Sequence, residues 1–164
     1  MVNNLQNLEK KIGEALGLEK ASLAAVEDLT AKGLLKRERI SDKLPTIKSQ
    51  DKNHQRSLEE LSMDLGKSQG VSFGRIDETA KETEQKFSEM MNVYLGKNPD
   101  SSEALEFLSL AEAAGITHYE VLIAMVGEIK NSKFATEVKT ILAEKQSHQQ
   151  SYIELAKQIS IDSR

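Results

Sequence analysis

Apolar residues recur at alternating intervals of three and four positions through four long segments of this chain. That spacing places them on one face of an α-helix, the face that packs in a core. The segments are rich in Leu, Ala, Glu and Lys, and the whole chain has only 2 Pro, a composition that favours helices over a sheet. The pattern therefore predicts an all-α protein organised as a helical bundle.

Glycine, proline and turn residues predict where the helices begin and end. Gly33 should end the first helix, Ser41 with Pro45 should start the second, and the stretch from Gly66 to Gly74 should be a connection. The predicted helices cover residues 3–32, 41–66, 75–95, 102–129 and 133–159. Short links make the first two and the last two antiparallel neighbours, while about 35 residues separate the two pairs. Four bundle helices with one long crossover, here carrying the third helix, form the topology of ferritin-like folds.

With 164 residues the chain is long enough for one domain, which we take to span residues 1–164. Its longest apolar run, residues 121–126, is far shorter than the ~20 residues that cross a bilayer, so we expect a cytoplasmic protein without membrane contact. Lys36, Arg37 and Arg39 form a basic cluster in a chain of net charge −4, which indicates a solvated helix end rather than nucleic-acid binding. The sequence contains no phosphate-binding glycine loop, hydrolase triad or cysteine cluster for zinc.

Polar residues interrupt the apolar face of each bundle helix near its middle. They are Glu19 in the first helix, Asp51 and His54 in the second, Glu112 in the fourth, and Glu144 and His148 in the fifth. At a rise of ~1.5 Å per residue, all of them fall well inside their helices. Antiparallel packing brings them to one height, so we expect one buried cluster of four carboxylates and two imidazoles.

A metal ion is the simplest compensation for such a cluster, because an unpaired buried carboxylate is costly; shared protons or water are the alternatives. Ferritin-like dinuclear sites take one Glu from each of two helices and a Glu-x-x-His pair from each of the other two. Here the single positions are Glu19 and Glu112, and the pairs are Asp51-x-x-His54, with a shorter acid, and Glu144-x-x-x-His148, one residue longer. The oxygen-rich set favours iron or manganese over copper.

Three other side chains lie close to this cluster in sequence. His118 lies off the apolar face of the fourth helix, where we expect solvent or a subunit contact. Tyr119 and Tyr152 lie one or two turns from the cluster, as hydroxyl donors to it or as core residues with a polar tip. The third helix has a broad apolar face that includes Met90 and Met91, which predicts docking on the bundle or a homodimer.

Four short sequence motifs resemble those of one protein family. They are Leu18-Glu19-Lys20, Ser49-Gln50-Asp51-Lys52-Asn53-His54, Glu112 with Tyr119, and Ile141-Leu142-Ala143-Glu144. Over most of its length the chain resembles the ferritin-like superfamily, and more narrowly its YciF-like stress-associated branch, which also has a helix between the second and third bundle helices. The resemblance implies a homodimer and a dinuclear iron or manganese site carried by Glu19, His54, Glu112 and Glu144. Gln50 stands where a Glu is typical of that branch, and Gly115 where a second carboxylate is expected.

The expected function is iron or manganese binding with a role in metal handling or oxidative-stress defence. If the site is catalytic, the metal pair is the redox centre for oxygen or peroxide and the side chains are its ligands. The departures at Gln50 and Gly115 leave a dinuclear site, a mononuclear site and a site without metal open. The alternative function is a metal-free dimeric scaffold or partner-binding module, whose polar cluster persists as a hydrated hydrogen-bond network.

Overall fold

The computed structural model describes the backbone of residues 2–162 and the side chains of residues 4–162. This part of the chain is all-helical, with five long helices and one single turn, which confirms the predicted all-α class. The helices are α1 (Val2–Ala31), α2 (Glu38–Ser41), α3 (Leu44–Gln69), α4 (Phe73–Leu95), α5 (Ser101–Glu128) and α6 (Ser132–Asp162). None of these helices is long and apolar enough to cross a membrane within the described residues.

Several helix ends lie where the glycine and turn residues predict them. Gly33 and Gly96 have φ angles of 80° and 63°, in the left-handed region that glycine adopts without strain, and they follow α1 and α4. Asp100 caps α5, because its side chain accepts the Glu103 N–H while the Glu103 side chain accepts the Asp100 N–H. This reciprocal pair is a capping box, which fixes the start of the helix.

The start of the second long helix differs from the prediction. Ser41 ends the separate turn α2, where its hydroxyl donates to the Glu38 carbonyl at 2.9 Å instead of capping the next helix. Helix α3 begins at Leu44, with Pro45 in its first turn as predicted. Proline has no N–H to satisfy there, so it sets the start more strongly than the serine does.

The connection between α3 and α4 is shorter than predicted. Gly66 and Gly74 both lie inside helices, and α3 ends instead at Gly70, whose φ of 75° makes it the left-handed cap. Ser72 then caps α4 by accepting the Arg75 N–H. Only one of the three glycines in this stretch therefore serves as a helix stop.

Two hydrophobic clusters fill the two ends of the bundle. One joins the N-terminal halves of α1, α4 and α6 to the C-terminal halves of α3 and α5, and the other joins the opposite halves. It follows that α1 runs antiparallel to α3 and α5 and parallel to α4 and α6. Helix α4 therefore runs along the length of the bundle and forms the crossover between α3 and α5.

The close contact between α1 and α4 depends on two glycines one turn apart. A Cβ at Gly17 would lie 2.5 Å from the Ala80 carbonyl oxygen, and a Cβ at Gly13 would lie 2.7 Å from the Ile76 carbonyl oxygen. Both distances are shorter than any real Cβ contact, so only glycine allows the backbone of α4 to approach this closely. The predicted docking of the crossover helix on the bundle is confirmed, and α1 is the helix that receives it.

Candidate metal centre

Five of the six predicted metal-site residues meet at mid-height of the bundle. They are Glu19 on α1, Asp51 and His54 on α3, Glu112 on α5 and His148 on α6. Each of these residues is at most 2% exposed. The sixth, Glu144, lies at the edge with its side chain 34% exposed. The helical repeat therefore predicted correctly that polar side chains from four helices converge.

A lysine that the sequence pattern did not single out lies in the centre of this cluster. Lys145 on α6 is 1% exposed. Its Nζ lies 2.8 Å from Glu112 Oε2 and 3.2 Å from both Glu19 Oε2 and Asp51 Oδ1. Nζ donates hydrogen bonds to Glu19 and Asp51, whereas the contact with Glu112 is an ion pair without hydrogen-bond angles. One ammonium thus contacts carboxylates from three other helices. The buried polar cluster, as we call it, consists of Glu19, Asp51, His54, Glu112, Lys145 and His148.

The buried face of α6 passes through Lys145 and not, as predicted, through Glu144. The buried positions Val138, Ile141, Lys145, His148, Tyr152 and Leu155 keep strict intervals of three and four. This regular alternation was the available signal for Lys145. Lysine is almost never fully buried unless it is paired, so the residue type argued against a position that the spacing favoured.

Lys145 also occupies a meaningful place in the metal-binding pattern. It stands three residues before His148, the spacing of the acid in a Glu-x-x-His pair. Helix α5 leaves room for the lysine stem, because a Cβ at Gly115 would already lie 3.4 Å from Lys145 Cε. An ammonium therefore stands at the position where a second Glu-x-x-His pair would supply a carboxylate.

The Lys145 ammonium controls the charge of its neighbours. Burial alone would lower the pKa of Lys145, but the three carboxylates around it raise that pKa well above its usual value. Burial raises the pKa of Glu19, yet Lys145 and His54 outweigh this effect and bring the pKa down to about 2. Burial also raises the pKa of Asp51, to about 6, because Lys145 opposes the rise only in part and Glu19 adds to it. Asp51 therefore takes up a proton more readily than Glu19 does.

His54 has a carboxylate at each ring nitrogen. Nδ1 lies 3.4 Å from Glu19 Oε2, and Nε2 lies 2.6 Å from Glu144 Oε2. Burial lowers the pKa of His54, but the hydrogen bonds to these two carboxylates more than reverse this and raise it. Only the imidazolium donates from both nitrogens, so His54 serves as a second buried cation.

His148 is held differently, because only one of its nitrogens has a partner. Nε2 lies 2.7 Å from Gln50 Oε1, a carbonyl oxygen that accepts the Nε2 proton. Nδ1 lies 3.5 Å from Asp51 Oδ1 and 3.8 Å from Glu112 Oε1, and it makes no hydrogen bond to any residue from 4 to 162. In the neutral ring that donates from Nε2, the Nδ1 lone pair faces the two carboxylates, and a nitrogen lone pair is what a metal ion binds.

The two core tyrosines also differ in whether the hydroxyl has a hydrogen-bond partner. Tyr119 is fully buried in the core and donates its hydroxyl proton to Glu19 Oε1 at 2.7 Å, so it combines the two roles that the sequence left open. The Tyr152 hydroxyl is buried and has no hydrogen-bond partner in the described part of the chain. Burial raises the pKa of both tyrosines, so both hydroxyls stay protonated.

Two sets of three side chains have ligand atoms within 4.8 Å of one another. The Glu19 group consists of Glu19, Asp51 and His54, and the His148 group consists of Asp51, Glu112 and His148. Asp51 belongs to both groups, so its carboxylate lies between the two candidate cation positions. Carboxylate oxygens and imidazole nitrogens are suitable ligands for iron and manganese. The donor atoms therefore fit the predicted metals, although Lys145 already contacts both groups.

The third histidine, His118, lies outside the cluster as predicted. Its Nδ1 lies 2.9 Å from the Ala114 carbonyl oxygen, and its Nε2 lies 3.4 Å from Glu14 Oε2 on the neighbouring helix. The side chain is 27% exposed. His118 is therefore a useful control for the two buried histidines.

In comparisons with known proteins, no family model, curated protein or solved structure matches the chain. The ferritin-like resemblance thus stays a prediction, and the proposed function rests on the buried polar cluster.

Proposed function

We propose that this chain is a ferritin-like protein that binds iron or manganese in its core and serves metal handling or oxidative-stress defence. The observation that carries the proposal is the Nδ1 atom of His148. It is buried without a hydrogen-bond partner in the described residues, and it faces oxygens of Asp51 and Glu112. A buried ring nitrogen without a hydrogen-bond partner is unfavourable, and a divalent metal bound between it and the two carboxylates would supply the missing interaction.

The hydrogen bond from His148 to Gln50 supports the same interpretation. Histidines that bind metals usually donate their other N–H to a carbonyl or carboxylate oxygen, which fixes the tautomer and the orientation of the ring. Gln50 Oε1 accepts such a bond at 2.7 Å. Two carboxylates and one imidazole form a ligand set of hard and borderline donors. A bound iron or manganese ion would supply redox chemistry toward oxygen or peroxide.

The helix directions support the ferritin-like arrangement. The order up, down, down, up for α1, α3, α5 and α6 follows from which helix halves share a hydrophobic cluster. A single long crossover between the second and third bundle helices is the connection found in ferritin-like folds, and α4 provides it here. The metal-binding position in such folds is the core between the four helices, where the buried polar cluster lies.

The proposal is tested by the metal content of protein purified without added metal or chelator. We expect near-stoichiometric iron or manganese in the wild type and its loss in His148→Gln, which removes the free lone pair. His118→Gln makes the same chemical change outside the cluster and should keep the metal. Wild-type protein that stays free of metal after incubation with ferrous and manganous ions would contradict the proposal.

One observation favours a second function, a metal-free scaffold or partner-binding module. The Lys145 ammonium already contacts three carboxylates, so it provides compensation that does not require a metal. Such a module would present the exposed side chains of α4, where Met90 is 63% and Val93 is 84% exposed, to a second copy or to another protein. The same metal analysis separates the two functions, and sedimentation of the protein tests the homodimer.

A further inference from the structure

We infer that the buried polar cluster holds two different cations, the Lys145 ammonium and one divalent metal ion in the His148 group. This inference rests on the proposed function and specifies how the site is occupied. Ferritin-like dinuclear centres place a metal ion in each of two positions. In this chain one of those positions belongs to a side chain, so the site is a mononuclear metal centre with a built-in ammonium.

In the Glu19 group, Glu19 and His54 already have a partner at every oxygen and ring nitrogen of their side chains. Glu19 Oε1 accepts from the Tyr119 hydroxyl, and Oε2 accepts from Lys145 Nζ at 3.2 Å. His54 contacts Glu19 through Nδ1 and Glu144 through Nε2. A metal ion in this group would have to displace these hydrogen bonds and the ammonium together.

Several atoms of the His148 group still lack a hydrogen bond. Asp51 Oδ2 and His148 Nδ1 are buried without a hydrogen-bond partner in the described chain, and Glu112 Oε2 has only the ion pair with Lys145 Nζ at 2.8 Å. The hydroxyl of Tyr152, four residues after His148 on α6, is a third buried atom without a hydrogen-bond partner there. Buried polar atoms are nearly always satisfied, so these three atoms indicate a ligand. Asp51 is shared by both groups, so the contrast between His148, with one unpartnered ring nitrogen, and His54, with none, assigns the metal to the His148 group.

The position of Lys145 on α6 suggests a direct test. The Lys145→Glu substitution places a glutamate three residues before His148, and with Asp51-x-x-His54, Glu19 and Glu112 this completes the ligand pattern of a dinuclear site. Lys145→Met removes the same charge but adds no ligand, so it is the matched control. Glu19→Gln and Glu112→Gln form a second pair, because both change a buried carboxylate to an amide on either side of Lys145.

The experiment counts manganous ions bound per chain, by titrating chelator-treated protein and following the free ion by electron paramagnetic resonance. Circular dichroism first confirms that each variant is folded. We expect one ion for the wild type, one for Lys145→Met and two for Lys145→Glu. Glu19→Gln should keep its single ion, whereas Glu112→Gln should lose it.

The outcomes distinguish the inference from the proposed function. Two ions per chain in the wild type would overturn the inference and leave the metal-binding function intact. No ion in the wild type but binding in Lys145→Glu would also overturn it, because the ammonium would then exclude metal altogether. No binding in any variant would reject the metal-binding function, and the inference with it. If Lys145→Glu does not fold, the wild-type count and the two Gln variants still decide the question.

Discussion

Replacing Lys145 with methionine tests whether one ammonium holds the centre of the bundle together. Methionine keeps an unbranched chain but no charge, so Glu19, Asp51 and Glu112 lose their common partner. Removing one partner of a buried ion pair costs about 3–5 kcal/mol, because the remaining charge stays buried and uncompensated. Domains of this size are stable by roughly 5–15 kcal/mol in total. The substitution should therefore lower Tm by roughly 10 °C.

The assay is urea unfolding of chelator-treated protein near neutral pH, followed by circular dichroism. Lys139→Met is the control, because Lys139 lies on the exposed side of the same helix. Surface substitutions of this kind change stability by less than about 0.5 kcal/mol. A loss below about 1 kcal/mol for Lys145→Met, or one equal to that of the control, would refute the conclusion that the ammonium compensates the buried carboxylates.

Three further predictions concern stability of the metal-free protein in urea unfolding. Gly17→Ala should cost about 1–3 kcal/mol, because its Cβ would lie 2.5 Å from a carbonyl oxygen of α4; Gly127→Ala, with no neighbour within 4 Å among the described residues, should be neutral or stabilising. Tyr119→Phe should cost about 1–3 kcal/mol because a buried Glu19 oxygen loses its donor, whereas Tyr152→Phe removes an unpartnered hydroxyl and should cost little. The pKa of Asp51, raised from 3.8 to about 6, means that folding disfavours its charged form. The free energy of unfolding of the wild type relative to Asp51→Asn should therefore fall as pH rises from about 4 to about 6, and a rise over that interval would contradict the assignment.

The helical repeat explains why so much of the cluster could be predicted from sequence. A face with intervals of three and four fixes which residues of α1, α3 and α5 point inward, whatever their chemical type. Glu19, Asp51, His54 and Glu112 therefore came out at the correct positions. The two antiparallel pairs follow from short connections, and the hydrophobic clusters confirm them.

Lys145 could not be predicted in the same way, because its burial depends on residues that are distant in sequence. A lone lysine in a core is very unfavourable, and only the three carboxylates from other helices make it stable. Glu144 was predicted on the buried face of α6, whereas Lys145 occupies that position and Glu144 lies at the edge. The docking of α4 on the bundle was predicted, but α1 could not be identified as its partner, since Gly13 and Gly17 add nothing to an apolar pattern.

The most direct test of the central claim is the position of manganese in crystals grown with manganous ion, located by its anomalous scattering. We predict one site per chain, with Asp51, Glu112 and His148 as its protein ligands and with Lys145 Nζ still bonded to Glu19 and Asp51. Two sites on either side of Asp51, or one site at the present position of Nζ with the lysine displaced, would contradict it.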